Sequence, residues 1–152
     1  MAVVQSTYDT THPVGYAGMI ANGETSNRIS RTVEDAAAIP FGKAVFRGAG
    51  DHGCILAPTA GALLGITIAN YAAPPVAATG AQADSYPQYS TAGILTLGVI
   101  WVSSSVAVAD GDQAYVTPAG VITNVSTSNV ILPGWFFQDT IGAAGLTRLA
   151  KR

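Results

Sequence analysis

The sequence predicts a mainly β fold, an antiparallel barrel-like or sandwich domain that follows an extended N-terminal arm. Residues 91–102, TAGILTLGVIWV, alternate as a strand requires, because successive side chains of a strand point to opposite faces. This alternation predicts one wholly apolar face, made of Leu95, Leu97, Val99 and Trp101. No window of the chain sustains a helical apolar period with caps. The rest of the chain is expected to cover the apolar face.

Two turn signals follow this strand and predict an antiparallel meander. They are Asp110-Gly111-Asp112 and Pro118-Ala119-Gly120, and they separate short runs rich in Val, Tyr, Ile and Thr. Glycine at such turns permits a positive φ at little cost, and β-branched residues suit a half-buried pleated surface.

The segments between the arm and this strand predict shorter elements. Thr32 with Asp35 resembles a capping box, which would open a short turn over residues 36–38 that ends before Pro40. Strands are predicted at residues 43–47, 54–56 and 63–70, with a turn at residues 58–61. Residues 72–90 are rich in Pro and Gly, which predicts a long surface loop.

Residues 1–27 form the predicted arm, and residues 28–152 form the predicted β domain. The arm shows no clean helical or strand period, and Pro13 and several glycines interrupt it. Its apolar residues are too irregular to fold alone, so we expect the arm to be disordered or to lie along a neighbouring subunit. The predicted contact residues in the arm are Tyr8, Tyr16, Met19 and Ile20.

Low charge is the most informative feature of the composition. The 152 residues are 49% hydrophobic and 11% charged, whereas an average chain carries about 25% charged residues. Residues 53–109 contain one charge, Asp84, and residues 113–138 contain none. Surfaces that stay in solution usually mix both signs of charge, so these neutral stretches predict faces hidden in an assembly. A Thr/Ser/Asn-rich β surface is the alternative.

Charge and composition argue against several classes of function. A net charge of −2 without a basic stripe argues against nucleic-acid binding. No stretch has the roughly 18 apolar residues of a membrane helix, and the N-terminus has no signal-peptide pattern, so a soluble protein is expected. The single cysteine, Cys54, excludes an intramolecular disulfide and fits synthesis in a reducing cytoplasm.

Two patterns near residue 50 suggest catalysis, and each has a simpler interpretation. Gly48–Gly53 matches GxGxxG, but Pro58 interrupts the helix that a dinucleotide site needs and residues 70–77 contain no carboxylate, so a glycine turn is favoured. His52 and Cys54 would share one face of a strand. Catalytic groups normally converge from separated segments, so a turn histidine and a packed cysteine are favoured.

Two other charged groups suggest ligands. Asp110 and Asp112 supply too few oxygens for calcium, which takes about six to eight, so a hairpin turn is favoured. Arg148, Lys151 and Arg152 could touch a phosphate or an acidic neighbour, but a solubilising tail is favoured. The sequence therefore predicts no catalytic, cofactor or metal residue.

The aromatic run near the C-terminus is the second predicted contact region. Trp135, Phe136 and Phe137 follow Pro133-Gly134 in an uncharged stretch. We expect the three side chains to lie on or near the last strand and to alternate between the domain core and a neighbouring surface.

An ordered series of motifs resembles the structural cement, or head decoration, proteins of tailed bacteriophages. The motifs are IPFGKAVFRG, LLGITIANY, GVIWV, VADGDQAYVTPAGVITN, and LPGWFF leading to GLTRLAKR, and the resemblance covers about residues 17–152. It implies a β-rich homotrimer, not an enzyme, on the outer capsid surface of the virion. Such a trimer would sit near local threefold axes and clamp adjacent major capsid protein subunits against internal DNA pressure.

The alternative is a carbohydrate- or receptor-binding β module of a virion or cell surface. Exposed aromatic residues clustered in a concave groove would favour that module, whereas aromatic residues buried in subunit contacts would favour a cement protein.

Overall fold

The computed structural model describes residues 14–70 and 84–152, and these residues form strands and turns without a helix. In chain order the strands are β1 (Asn27–Val33), β2 (Ile39–Pro40), β3 (Ala44–Arg47), β4 (Gly53–Ile55), β5 (Leu63–Thr67), β6 (Ser85–Tyr86), β7 (Thr91–Ser104), β8 (Gln113–Val116), β9 (Ile122–Thr123), β10 (Val130–Phe137) and β11 (Gly145–Lys151). The mainly β prediction is confirmed.

Nine of these strands close into two rings that share β7. The strand order is β1-β4-β3-β5-β7-β11-β10-β8-β9, with additional pairs β1–β7 and β7–β9. The N-terminal ring therefore contains β1, β4, β3, β5 and β7, and the C-terminal ring contains β7, β11, β10, β8 and β9. Closure pairs most of the strand edges, which is the barrel-like architecture that the sequence predicts. Strands β2 and β6 form a separate small sheet.

A bulge in β7 separates the part that serves each ring. Asn27 of β1 lies opposite Leu97, whereas Arg28 lies opposite Leu95, so Thr96 is an extra residue on β7. Residues 91–97 pair with β1, and residues 98–104 pair with β11. The bulge lets one long strand change its orientation between the two rings.

The single apolar face predicted for β7 is wrong because of this bulge. Ile94 packs in one core cluster, whereas Leu95 and Ile100 pack in the other, so the face of the strand changes between residues 95 and 100. Leu97 and Trp101 are only half-buried. Both faces of β7 are largely buried, as expected of a strand that lies within two rings.

The core forms two clusters that correspond mainly to the two rings. The smaller cluster lies among the strands of the N-terminal ring and the small β2–β6 sheet, and contains Val33, Ile39, Phe41, Val45, Cys54, Tyr86, Ala92 and Ile94. The larger cluster fills the C-terminal ring with side chains that include Val116, Leu132, Trp135, Phe137 and Leu149. It also takes Ala44, Phe46 and Ile66 from β3 and β5, which joins the two halves.

The predicted meander is half correct. Strands β8 and β9 form a hairpin, whose turn is closed by the Thr117 amide donating to the Val121 carbonyl at 2.9 Å, with Gly120 at φ 75°. The turn at Asp110-Gly111-Asp112 also exists, with Gly111 at φ 88°. However, β8 pairs with β9 and β10 rather than with β7, so this turn does not close a hairpin.

The predicted capping box is wrong. Thr32 lies inside β1, and the Asp35 carboxylate accepts a hydrogen bond from the Leu56 amide at 2.6 Å instead of capping a helical turn. Within the predicted loop 72–90, residues 85–86 form β6, and its Tyr86 hydroxyl donates to the Ile68 carbonyl at 2.6 Å. Residues 72–83 of that loop lie outside the described residues. The three predicted strands at 43–47, 54–56 and 63–70 are present with slightly different ends.

Candidate interaction surface

The described part of the predicted arm hydrogen-bonds to its own domain. The Gly18 amide donates to the Trp101 carbonyl, and the Trp101 amide donates to the Met19 carbonyl, both at 2.8 Å. Ile20 forms a bridge with Ile100. These bonds place residues 18–21 along the second half of β7, on the edge that β11 does not use. Met19 and Ile20 are half-buried there.

Tyr16 and Tyr8 are the other two predicted contact residues of the arm. The side chain of Tyr16 is 38% exposed, and Tyr8 lies outside the described residues. Just before Tyr16, the backbone of Gly15 lies against the Trp101 indole, because an added Cβ would come within 2.7 Å of Trp101 Nε1. Arg148 also contacts this indole, with its guanidinium carbon 5.7 Å from the ring centroid. Trp101 is therefore partly covered by its own chain.

Strand β10 carries a large bulge that exposes part of its outer face. Ile131 pairs with Tyr115 and Phe136 pairs with Gln113, so four residues of β10 stand opposite Ala114 alone. Gly134 adopts a φ of 78° within this bulge, a conformation that favours glycine. The bulge turns the strand without opening the ring.

The side chain of Gln113 compensates for the backbone pairs that the bulge removes. Its Nε2 donates to the carbonyls of Leu132 at 2.8 Å and Trp135 at 2.9 Å, both of which are freed by the bulge. Backbone carbonyls near a core need such partners, because a buried polar group without one is costly. Gln113 was not singled out from the sequence, because nothing near it in the sequence marks a bulge on β10.

The three aromatic residues of β10 alternate between the core and the exposed surface, and contact of the exposed one with a neighbour stays a prediction. Trp135 and Phe137 are 0% and 1% exposed and belong to the core, whereas Phe136 is 43% exposed. Ile131 on the same strand is 47% exposed, and Pro133 is exposed between them. We call Ile131, Pro133 and Phe136 the β10 face. Of the aromatic run, only Phe136 presents its ring to solvent.

The β10 face is uncharged, and Arg152 at its rim is paired. Phe136 lines a shallow groove with Gly134, Gln138, Ala150 and Arg152. The Arg152 guanidinium donates to both Glu24 carboxylate oxygens, at 2.9 and 3.0 Å, and to Gln138 Oε1 at 3.2 Å.

The C-terminal basic residues are not the free solubilising tail that the sequence suggests. They lie on or next to β11, where Arg148 forms a two-pronged ion pair with Asp139 and Arg152 binds Glu24. The aliphatic stem of Lys151 lies against Gly134. These contacts hold the C-terminal strand to the rest of the domain, and the Arg148 guanidinium lowers the pKa of the Asp139 carboxyl.

The GxGxxG pattern forms a glycine loop that holds a carboxylate of the same chain. The amides of Ala49 and Gly50 donate to the Glu34 carboxylate at 2.7 and 2.8 Å. A Cβ at Gly48 or Gly53 would fall 2.1 or 1.7 Å from a Glu34 oxygen, so a side chain at either position would displace the carboxylate from the loop. Successive backbone amides favour anions. Here that anion is an internal side chain, and the predicted glycine turn is correct.

Cys54 has the properties of a packed cysteine rather than of a nucleophile. It is fully buried, and desolvation, with the nearby Asp35 and Glu34 charges, raises the pKa of its thiol to about 11. A thiol with this pKa is almost entirely protonated at neutral pH, whereas nucleophilic attack requires the thiolate. His52 is exposed, and its carbonyl accepts the Thr32 amide at 2.9 Å, as expected of a residue in a turn.

The Asp110-Gly111-Asp112 turn uses its carboxylate for the backbone. The Asp112 Oδ2 atom accepts hydrogen bonds from the Ala109 amide at 2.9 Å and from Asn124 Nδ2 at 2.7 Å, and these bonds lower the pKa of Asp112. Among the described residues, no group of three or more His, Cys, Asp and Glu side chains is arranged to hold a metal ion. Nor do residues 14–70 and 84–152 contain a helix that could span a membrane.

The described residues include three exposed aromatic residues, Tyr16, Tyr89 and Phe136, and the first and last of these lie in different grooves. Tyr16 lines a groove with Phe41, Lys43, Asp84 and Ser103, among others, whereas Phe136 lines the groove on the C-terminal ring. The described residues therefore give the carbohydrate-binding alternative no observation in its favour.

Comparison with known proteins identifies the class of this fold. Residues 4–151 match a family model described as structural cement protein (E217 gp24/Pam3 gp6). The chain belongs to this family, so it is a structural protein of the phage capsid. A search of curated proteins found no match.

Two solved structures are similar to this chain. A chain from "The capsid of Myoviridae Phage XM1" aligns with a TM-score of 0.74 at 16% sequence identity, and covers 94% of this chain and 93% of that one. A chain from "The crystal structure of head fiber gp8.5 N base in bacteriophage phi29" aligns with a TM-score of 0.47 at 8% identity, over 84% of this chain and 95% of that one. The first of these similarities shows that the fold is shared with a chain of a phage capsid structure.

Proposed function

We propose that this protein binds the outer surface of a phage capsid and clamps adjacent major capsid protein subunits together. The observation that carries this proposal is the β10 face, an uncharged and partly apolar surface on a chain of the structural cement family. A partner that covers Ile131 and Phe136 removes apolar area from water, which favours association.

A binding assay with a matched control tests this proposal. Phe136→Ser removes the exposed ring, and because the ring is outside the core the protein should still fold. We expect binding to capsids, measured by co-sedimentation, to weaken by about tenfold or more, as for a central contact residue. Tyr89→Ser is the control, because Tyr89 is also aromatic and is 77% exposed, but it lies just before β7 and outside the β10 face. Equal binding by the Phe136 variant and the natural protein would reject the β10 face as the contact.

The same proposal includes a homotrimer at local threefold axes of the capsid. Its support is membership of the cement family together with the neutral stretches 53–109 and 113–138, which leave little charged surface to keep a monomer apart from its copies. Size-exclusion chromatography with light scattering, on the protein alone and after release from capsids, measures the number of copies. A monomer in both samples would contradict the trimer.

We further propose that the first residues of the N-terminal arm (residues 1–27) contact a neighbouring subunit. Residues 18–21 hydrogen-bond to β7, so the test removes residues 2–13 and leaves these bonds intact. Tyr8 is the largest apolar side chain in the removed part. We expect the truncated protein to fold, and we expect capsids that carry it to release their DNA at lower temperature. Equal protection by both proteins would assign the arm no role in clamping.

A further inference from the structure

We infer that the outer edge of β1 is a second docking site, which takes an acidic, extended segment of another polypeptide as an added strand. Three observations on the described part of the N-terminal ring carry this inference: backbone groups that no described strand uses, two arginines without an ion pair, and a polar groove. None of them involves the β10 face. The inference is therefore independent of the capsid contact proposed above.

Among residues 14–70 and 84–152, no strand pairs with the β4 side of β1 before Thr32. The Val33 amide donates to Ser90 on the β7 side, whereas the Thr32 amide donates to His52 on the β4 side at 2.9 Å. Because backbone groups alternate along a strand, the N–H groups of Ser30 and Arg28 and the C=O group of Arg28 also point to the β4 side, together with the Ser30 C=O, which accepts from Arg31 Nη1. Strand β4 pairs with β1 only at Thr32 and Val33, so it does not reach them.

The charged groups along this edge are positive. Arg28 is exposed and Arg31 is half-buried, and among the described residues neither forms an ion pair. Arg31 Nη1 donates to the Ser30 carbonyl at 2.8 Å, so its guanidinium lies at the edge itself. The two residues are three positions apart, so their side chains leave opposite faces of the strand. Each guanidinium can therefore meet a carboxylate on one face of an added strand.

A polar groove crosses β1 near this edge, from Thr91 of β7 to His52. It is lined by Ser30, Arg31, Thr32, His52 and Thr91. Arg31 is the one arginine or lysine of this set. Strand addition obtains affinity from backbone hydrogen bonds and specificity from neighbouring side chains. Here the β1 edge supplies the backbone groups, and the groove supplies the side chains.

The charges also select the occupant. A second copy of β1 on this edge would bring the arginines of both copies together, and like charges across a strand pair are destabilising. Edge arginines commonly protect a sheet against pairing with other copies of the same protein. The same pair that repels a basic or identical strand attracts an acidic one. The occupant is therefore an extended segment with carboxylates on both of its faces.

Nuclear magnetic resonance of the full chain tests the inference with a defined peptide. The probe is a short acetylated peptide of threonine and valine with glutamates three positions apart, and the matched control has lysines at the same positions. We expect the glutamate peptide to slow hydrogen exchange at the Ser30 and Arg28 amides. The lysine peptide should leave both amides unchanged.

Two variants separate the backbone contribution from the charge contribution. Ser30→Pro removes the open N–H, and it should fold because proline is tolerated where an edge N–H faces solvent. It should bind no peptide. Reversing both charges, with Arg28→Glu and Arg31→Glu, should raise the dissociation constant of the glutamate peptide by roughly tenfold. The same variant should bind the lysine peptide.

Three results would overturn the inference. If neither peptide protects the amides at millimolar concentration, the arginines serve only to guard the edge. If both peptides protect equally, charge does not select the occupant. If the amides become protected as the protein alone is concentrated, the occupant is a second copy of the chain. None of these results bears on binding through the β10 face, which the Phe136 variant tests separately.

Discussion

The two rings share β7 but hold their interiors together differently. In the N-terminal ring, polar groups bridge the elements: the buried Thr67 hydroxyl donates to the Pro40 carbonyl at 2.9 Å inside, and the Glu34 carboxylate fills the glycine loop at the surface. The C-terminal ring depends on large apolar side chains, including Trp135 and Phe137. Burial supplies most of the folding free energy, whereas satisfied polar networks specify one arrangement. The C-terminal ring is therefore expected to dominate stability.

The surfaces of the two rings also differ in charge. Half of the chain's 16 charges lie between Glu24 and Asp51, on and around the strands of the N-terminal ring, whereas residues 113–138 are uncharged. A neutral surface suits a permanent contact, and a charged edge suits selection among partners. This difference assigns capsid attachment to the C-terminal ring in our proposal.

Removing the largest core side chain should have the largest effect. Trp135→Ala should lower the free energy of unfolding by about 3–5 kcal/mol, because the side chain is fully buried in the C-terminal core. Urea denaturation followed by circular dichroism measures the change. Phe136→Ala is the control and should cost less than about 1 kcal/mol, because the ring lies largely outside the core. Similar costs for the two changes would contradict the assignment of inner and outer faces.

A double-mutant cycle tests the contact between the Glu34 carboxylate and the glycine loop. Gly53→Ala should cost about 1 kcal/mol or less, because its Cβ displaces the Glu34 carboxylate from two exposed amides, which water then solvates. In a Glu34→Ala background the same change should cost much less, since nothing remains to collide with it. Additive costs in urea denaturation would show that Gly53 is needed for some other reason.

The ion pair between Asp139 and Arg148 should make a smaller, pH-dependent contribution. The folded-state pKa of Asp139 is lowered below the unfolded value of about 3.9, so its contribution is fully present above that value and disappears as pH falls through the folded pKa. Asp139→Asn should therefore lower the free energy of unfolding near pH 7 by less than about 1 kcal/mol, because both side chains are partly exposed.

Measurements over a range of pH check the sign of this effect. The difference between the natural protein and the Asn variant should shrink as pH falls below about 4. A difference that grows at acid pH would contradict the role given to the ion pair.

The smallest expected effect concerns Glu24 and Arg152. This pair joins the segment before β1 to the C-terminus, and both side chains are exposed. Glu24→Gln should leave global unfolding unchanged within error, because exposed ion pairs contribute little. Hydrogen exchange at the Ala21 amide, which donates to the Val99 carbonyl, should become faster if the pair helps to hold this segment on β7. An unchanged exchange rate would show that the backbone bonds suffice.

Local signals in the sequence were sufficient for part of this architecture. Alternation and turn residues predict the β8–β9 hairpin and the inward and outward aromatic residues of β10, because both depend on neighbours in the chain. The bulge in β7 was not predictable from alternation, since residues 91–102 read as one regular strand. Its position is determined by the partners β1 and β11, which lie far away in the sequence.

Long-range polar contacts could not be predicted from the sequence either. Glu34 and the glycine loop are separated along the chain, and no periodic pattern links a carboxylate to the amides that bind it. The same holds for Gln113 and the carbonyls of the β10 bulge. The arm was expected to leave the domain, yet residues 18–21 use the open edge of β7, which only the completed rings reveal.

Heat-induced DNA release from capsids tests the central claim most directly. Phage particles that lack this protein would be heated alone and with the purified full-length chain, and the released DNA would be measured with an intercalating dye. A protein that clamps adjacent capsid subunits binds the intact shell in preference to the ruptured one, so it must raise the release temperature. We predict a higher release temperature that saturates as binding saturates, and a weaker effect with Phe136→Ser. Saturated binding without any change in the release temperature would contradict the proposed clamping role.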